Sequence, residues 1–198
     1  VNRSAAFAVL AVAALVACAP VAAPPPETFY RLAPVSTEQS HARPPLRGVI
    51  EVGSFSGDGL TGQRSLVYAE SDRPGELRLY SYHMWAQPPG EMLRERLVEA
   101  LRAANLAETV VTPALRAQPD FILLGHVKRF EQIGPGAVAE VEFSLTNRDG
   151  DVMLVKTYEA THQAADLTAS AAVAAMDQAV AEIVTRLLAD LAALGHGA

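Results

Sequence analysis

Between Ala137 and Thr146 the chain alternates without a break. Ala139, Val141, Phe143 and Leu145 are apolar, and Glu140, Glu142, Ser144 and Thr146 are polar. A period of two predicts a strand with one buried and one wet face. Asn147-Arg148-Asp149-Gly150 follows, and Asp-Gly predicts a hairpin turn returning through Val152 to Thr161. The period then changes. Val173, Met176, Val180, Ile183, Val184, Leu187, Leu191 and Leu194 recur mostly at three and four residues, which predicts a helix over 167–194 that Gly195 ends. The many alanines beside that stripe permit close approach, either to the chain's own sheet or to a second copy.

The same reading extends upstream. Phe29 to Leu32, Val49 to Phe55, Ser65 to Ala69 and Leu77 to Trp85 are rich in β-forming residues. Pro88-Pro89-Gly90 opens a helix whose apolar positions are Leu93, Leu97, Ala100, Leu101 and Ala104, with Asn105 as its stop. Thr109 to Thr112 is a short strand. Asp120 to Gln132 contains the continuous apolar run FILLG, the mark of a central strand covered on both faces. The expected fold is a two-layer α/β sandwich, a mainly antiparallel sheet with two helices on one face. One domain is expected over residues 29–198.

The N-terminal segment follows a different logic. Arg3 is followed by an uninterrupted apolar run from Ala5 to Ala17, 13 residues long. That length suits the apolar region of a signal peptide and is too short to span a bilayer. Residues 1–17 are therefore expected to be removed. Leu15-Val16-Ala17-Cys18 resembles the bacterial lipobox, and Cys18 is the chain's single cysteine. It can form no internal disulfide and no cysteine-based metal cluster. The resemblance implies acylation of Cys18, and several chains make a stable anchor where one does not. Ala19 is not the Asp that commonly retains such proteins in the inner membrane. By that resemblance the destination is the inner leaflet of the outer membrane, with the domain in the periplasm. Residues 18–28, with four prolines after Cys18, read as an extended tether of about 30 Å.

Charge narrows the partners. The formal net charge is −6, and loss of Arg3 with residues 1–17 makes it −7. No basic stripe exists for nucleic acid or for an electrostatic grip on anionic lipid.

Motifs for catalysis are weak. Gly57-Asp58-Gly59-Leu60-Thr61-Gly62 fits G-x-G-x-x-G, but a strand, not a helix, follows it, so a β–β loop is expected. The histidines His41, His83, His126, His162 and His196 have no metal-ligand spacing and no carboxylate at motif distance. In Gly53-Ser54-Phe55-Ser56-Gly57 a Phe holds the centre where a nucleophile elbow needs Ser. No catalytic residue, metal or cofactor is expected. An enzyme would need His126 or His162 bonded to a carboxylate inside a deep polar pocket.

The segment LRLYSYHMWAQPPGEM places Tyr80, Tyr82 and Trp85 just before Pro88 and Pro89. It reads first as core packing at a strand-to-helix corner, and second as an aromatic surface for lipid or protein. Together with the lipobox, the proline-rich tether and the helix that follows, the corner Tyr82-x-x-Trp85-Ala86-x-Pro88-Pro89 resembles the ABC-type transport auxiliary lipoproteins. Those are similar to the paraquat-inducible protein C lipoproteins. The resemblance implies a non-catalytic partner of MCE-family proteins and ABC transporter components in moving lipid between membranes, either by docking or by guiding phospholipid. Tyr82, Trp85, Pro88 and Pro89 are then the candidate interaction residues. The alternatives are an outer-membrane assembly lipoprotein and a periplasmic lipoprotein enzyme.

Overall fold

A computed structural model describes residues 23–37 and 40–195. Cys18, the 1–17 segment, the first residues of the tether and His196 lie outside the described residues. Within them the chain runs β1 (Thr28–Tyr30), β2 (Leu46–Gly57), β3 (Ser65–Glu70), β4 (Arg73–Trp85), α1 (Pro89–Ala103), β5 (Ala107–Val111), β6 (Phe121–Ile133), β7 (Gly136–Asn147), β8 (Val152–Gln163) and α2 (Ala169–Gly195).

The architecture is the expected one: a single eight-stranded sheet with both helices on one face. Helix α1 packs on β2, β5 and β6, and α2 packs on β7 and β8. The sheet is mixed. Its long ladders, β6–β7 and β7–β8, are antiparallel, whereas β2 runs parallel to both β5 and β6. The FILLG strand is indeed central, and β6 has three neighbours. One edge carries β7 along its whole length. The other carries β2 against residues 121–127 and β3 against residues 131–133.

That fork is closed by the glycine-rich stretch. After Gly57 the chain makes a short 3-10 turn over Gly59–Gly62 and enters β3, so no helix opens at these glycines. Buried Thr61 fills the gap, its hydroxyl donating to the Asp58 carbonyl at 2.7 Å and the Val127 carbonyl at 3.0 Å. The Asp58 amide also donates to Val127. The loop joins two strands that diverge from one neighbour.

The alternation in β7 holds: Ala139, Val141, Phe143 and Leu145 are buried, and Glu140, Glu142, Ser144 and Thr146 are partly exposed. The Asp149-Gly150 turn also forms, with Gly150 at φ 87°, a conformation that favours glycine. On α2, every residue of the apolar stripe from Val173 to Leu191 is buried, with Ala172, Ala175 and Ala179 beside it. Burying each large side chain contributes about 1.5–3 kcal/mol before entropy is counted. The helix starts at Ala169, later than its pattern, because Thr168 caps it: the Thr168 hydroxyl accepts the Ala171 amide at 3.2 Å. Leu167 is left exposed.

Candidate interaction site at the strand-to-helix corner

The corner begins with a strand that bulges. Between the Val67–Leu79 and Ser65–Met84 pairs, β4 carries three more residues than β3. Tyr80 and His83 consequently lie close, with ring centroids 5.7 Å apart. Tyr30, on β1, donates to or accepts from His83 Nδ1 at 3.0 Å. The Tyr80 hydroxyl donates to the buried Gln132 Oε1 at 2.8 Å, and burial pushes its pKa up. Past His83 the backbone delivers Trp85 inward. Its side chain is buried against Phe130, with centroids 5.3 Å apart.

Pro88 then caps α1 and Pro89 occupies its first turn, where a missing N–H costs nothing. The helix comes in so closely that a Cβ on Gly90 would stand 2.7 Å from the Phe55 carbonyl oxygen. The far end of α1 is tied down too. Asn105 sits at φ 49° and its side-chain amide donates to the His41 carbonyl at 2.7 Å.

The four candidate residues therefore divide. Trp85 and Pro89 are buried and build the corner from inside; Pro88 is half-buried. Tyr82 lies at the surface, 37% exposed. The structure adds two residues that the motif did not indicate. Phe29 of β1 is 50% exposed, and the Arg64 guanidinium lies 5.3 Å above its ring. Arg64 Nε–H in turn donates to the Trp85 carbonyl at 3.1 Å. Sequence spacing gave no hint of this, because Arg64 stands twenty-one residues before Trp85.

A second cluster brings together residues that no motif linked. Ser56 Oγ lies 2.7 Å from His126 Nδ1, and His126 Nε2 lies 3.0 Å from Asp58 Oδ2. His162 Nε2 likewise meets Glu182 at 3.0 Å. Hydrogen bonding of histidine to carboxylate is thus present twice. The setting differs from that of a catalytic triad. The imidazole is 34% exposed and the Asp58 side chain 67% exposed, so water screens any charge that develops there. The hollow beside His126, about 340 Å³, is lined by Ser54, Ser56, Leu124, Gly125, Glu142 and Ser144. The two bonds tie the Gly57–Gly62 turn to β6, which is the strand it must follow. No group of three or more His, Cys, Asp or Glu side chains among the described residues is placed to hold a metal ion.

Residues 30–187 match the signature of the ABC-type transport auxiliary lipoprotein component family. The chain belongs to that family. The match covers the sheet from Tyr30, the corner, and α2 to Leu187. The same fold is found in a crystal structure of a Xanthomonas campestris protein, with a TM-score of 0.76 and 24% identity over 86% of this chain and 98% of that one. A second solved structure has a TM-score of 0.67 at 16% identity, covering 83% and 98%. A Bradyrhizobium diazoefficiens protein is 27% identical over 133 residues, 65% of this chain. The match spans 35% of that relative's length. For this auxiliary lipoprotein, no helix among the described residues is long and apolar enough to cross a membrane.

Proposed function

We propose that this auxiliary lipoprotein is cleaved before Cys18, acylated there, and held at the inner leaflet of the outer membrane. Its domain is a non-catalytic docking component for an MCE-family protein and its ABC transporter in lipid exchange between the membranes. The observation that carries this reading is the family match over residues 30–187, which joins the transport role to a domain lying directly behind a lipobox and tether. The exposed part of the corner, Tyr82 with Phe29 and Arg64, supports docking rather than chemistry, since these side chains face solvent. Direct lipid guidance has a candidate path in a groove of about 570 Å³ lined by Leu60, Val67 and Leu77 together with Lys128 and Arg129.

Two measurements test it. Mass spectrometry of the mature N-terminus should find an acylated Cys18; an unmodified thiol with the leader still attached rules out the anchor. Cross-linked capture of the full-length lipoprotein from membranes should recover an MCE protein with its permease and ATPase. Recovery of β-barrel assembly components in their place would favour the alternative envelope role.

A further inference from the structure

Nine large apolar side chains are exposed among the described residues, and seven of them are aliphatic. The two aromatic ones, Phe29 and Tyr82, sit on adjacent strands at one edge of the sheet. Thr28 of β1 pairs with His83 of β4, so Tyr82 lies one residue outside that ladder, beside the chain that enters from the tether. Phe29 is held in place: Arg64 lies over its ring, and Arg64 is itself bonded to Trp85. Arg31, also exposed, follows Phe29 by two residues. Aromatic rings flanked by arginines suit the boundary between headgroups and acyl chains. The rings enter the apolar side while guanidinium groups stay with phosphate.

We propose that this edge, carried by Phe29 and Tyr82 with Arg64 and Arg31 beside them, seats the domain on the surface of a lipid bilayer. The inference rests on the reading of Cys18 as the lipid attachment point. Ten residues separate Cys18 from Thr28, and even fully extended they reach about 35 Å. A domain of this size is about 40 Å across. The tether is therefore shorter than the domain, and the surface at β1 is the one that meets the membrane first. A contact too weak to hold a free protein becomes persistent when the tether confines it there. The net negative charge of the chain keeps the remainder of the surface from competing for anionic headgroups.

The single cysteine makes the test direct. When Cys18 is acylated its thiol is blocked, so a spin label reacts only at an introduced site. Full-length lipoprotein carrying Phe29→Cys, Tyr82→Cys or, as a control, Leu115→Cys is reconstituted in phosphatidylethanolamine–phosphatidylglycerol vesicles. Labels at 29 and 82 should lose collisions with a water-soluble nickel chelate and gain collisions with oxygen. The label at 115 should keep its chelate collisions. Equal chelate access at all three sites overturns the proposal. So does protection at 29 and 82 that appears only when membrane proteins are added, which would assign the edge to a protein partner. Failure of the anchor is seen separately, as an unmodified Cys18 in the mass spectrum. Coupling that thiol to a maleimide lipid then supplies the tether, and the same accessibility comparison decides the seat. Near-native circular dichroism of each variant confirms that the label reports on folded protein.

Discussion

Trp85 and Arg64 hold each other through two hydrogen bonds. The Trp85 amide donates to the Arg64 carbonyl at 2.6 Å, and Arg64 Nε–H donates to the Trp85 carbonyl at 3.1 Å. A buried indole and an exposed guanidinium thus form one unit, and mutation of either reaches both the core and the surface.

This predicts a separation between two substitutions at the corner. Trp85→Ala removes a buried ring beside Phe130 and should cost about 3–5 kcal/mol of stability in urea unfolding. Tyr82→Ala should leave stability within about 0.5 kcal/mol. Partner capture lost in Tyr82→Ala at unchanged stability would locate the contact at the surface. Equal destabilisation by the two would show that Tyr82 is a core residue.

Gly90→Ala sets helix propensity against space. Alanine favours a helix interior by about 1 kcal/mol, but the new Cβ would stand 2.7 Å from the Phe55 carbonyl oxygen. Overpacking against backbone costs about 1–3 kcal/mol, so the variant should melt at a lower temperature than the parent. A higher Tm would mean that α1 shifts outward without penalty.

Acid sensitivity should trace in part to Asp190. Its pKa is lowered chiefly by the hydrogen bond from Lys156 at 2.7 Å, then by the Tyr158 hydroxyl. Burial, followed by that same bond, pushes Tyr158 up, so it remains a donor through neutral and alkaline pH. A carboxylate whose pKa is lowered on folding contributes stability above its unfolded pKa. That contribution is lost as pH falls below 3.8 through the lowered value. Asp190→Asn should therefore be less stable than the parent at neutral pH and show a flatter decline in that acid window. Parallel pH curves would remove Asp190 from the account.

Strand β8 has a ladder partner on one side only, and α2 covers its other edge with side chains. Arg186 Nη1 donates to the Glu159 carbonyl at 2.9 Å, using an acceptor that another strand would otherwise take. Arg186→Ala should raise self-association at high concentration, read as a larger weight-average mass by sedimentation. An unchanged mass would show that the edge is protected without it.

The Ser56–His126–Asp58 cluster should behave as a structural tie. His126→Ala should speed hydrogen exchange at the Asp58 and Thr61 amides, whose acceptors are Val127 and Asp58. Hydrolysis of a nitrophenyl ester should not exceed that of buffer. Saturable hydrolysis abolished by Ser56→Ala would establish the enzymatic reading instead.

Local pattern carried far in this chain. Period-two and period-three-to-four hydrophobicity reports which face of an element is buried, and in β7 and α2 it named those residues almost one for one. Prolines and glycines marked the start of α1 and the turn before β8 because their backbone restrictions act within a few residues. Boundaries slipped where a capping side chain or an edge pairing decided them, as at Thr168 and at Arg73, where β4 begins opposite Glu70.

By itself the sequence determined the two-layer class, the order of elements, the family and the expectation of an anchor at Cys18, since each depends on neighbours along the chain. Only the tertiary structure decided how β6 forks between β2 and β3, because strand pairing joins residues far apart. It also parted the aromatics of one short motif, turning Trp85 into the core and Tyr82 to the surface. A bulge in β4 breaks the alternation just there, and pattern cannot predict a face once its period is interrupted.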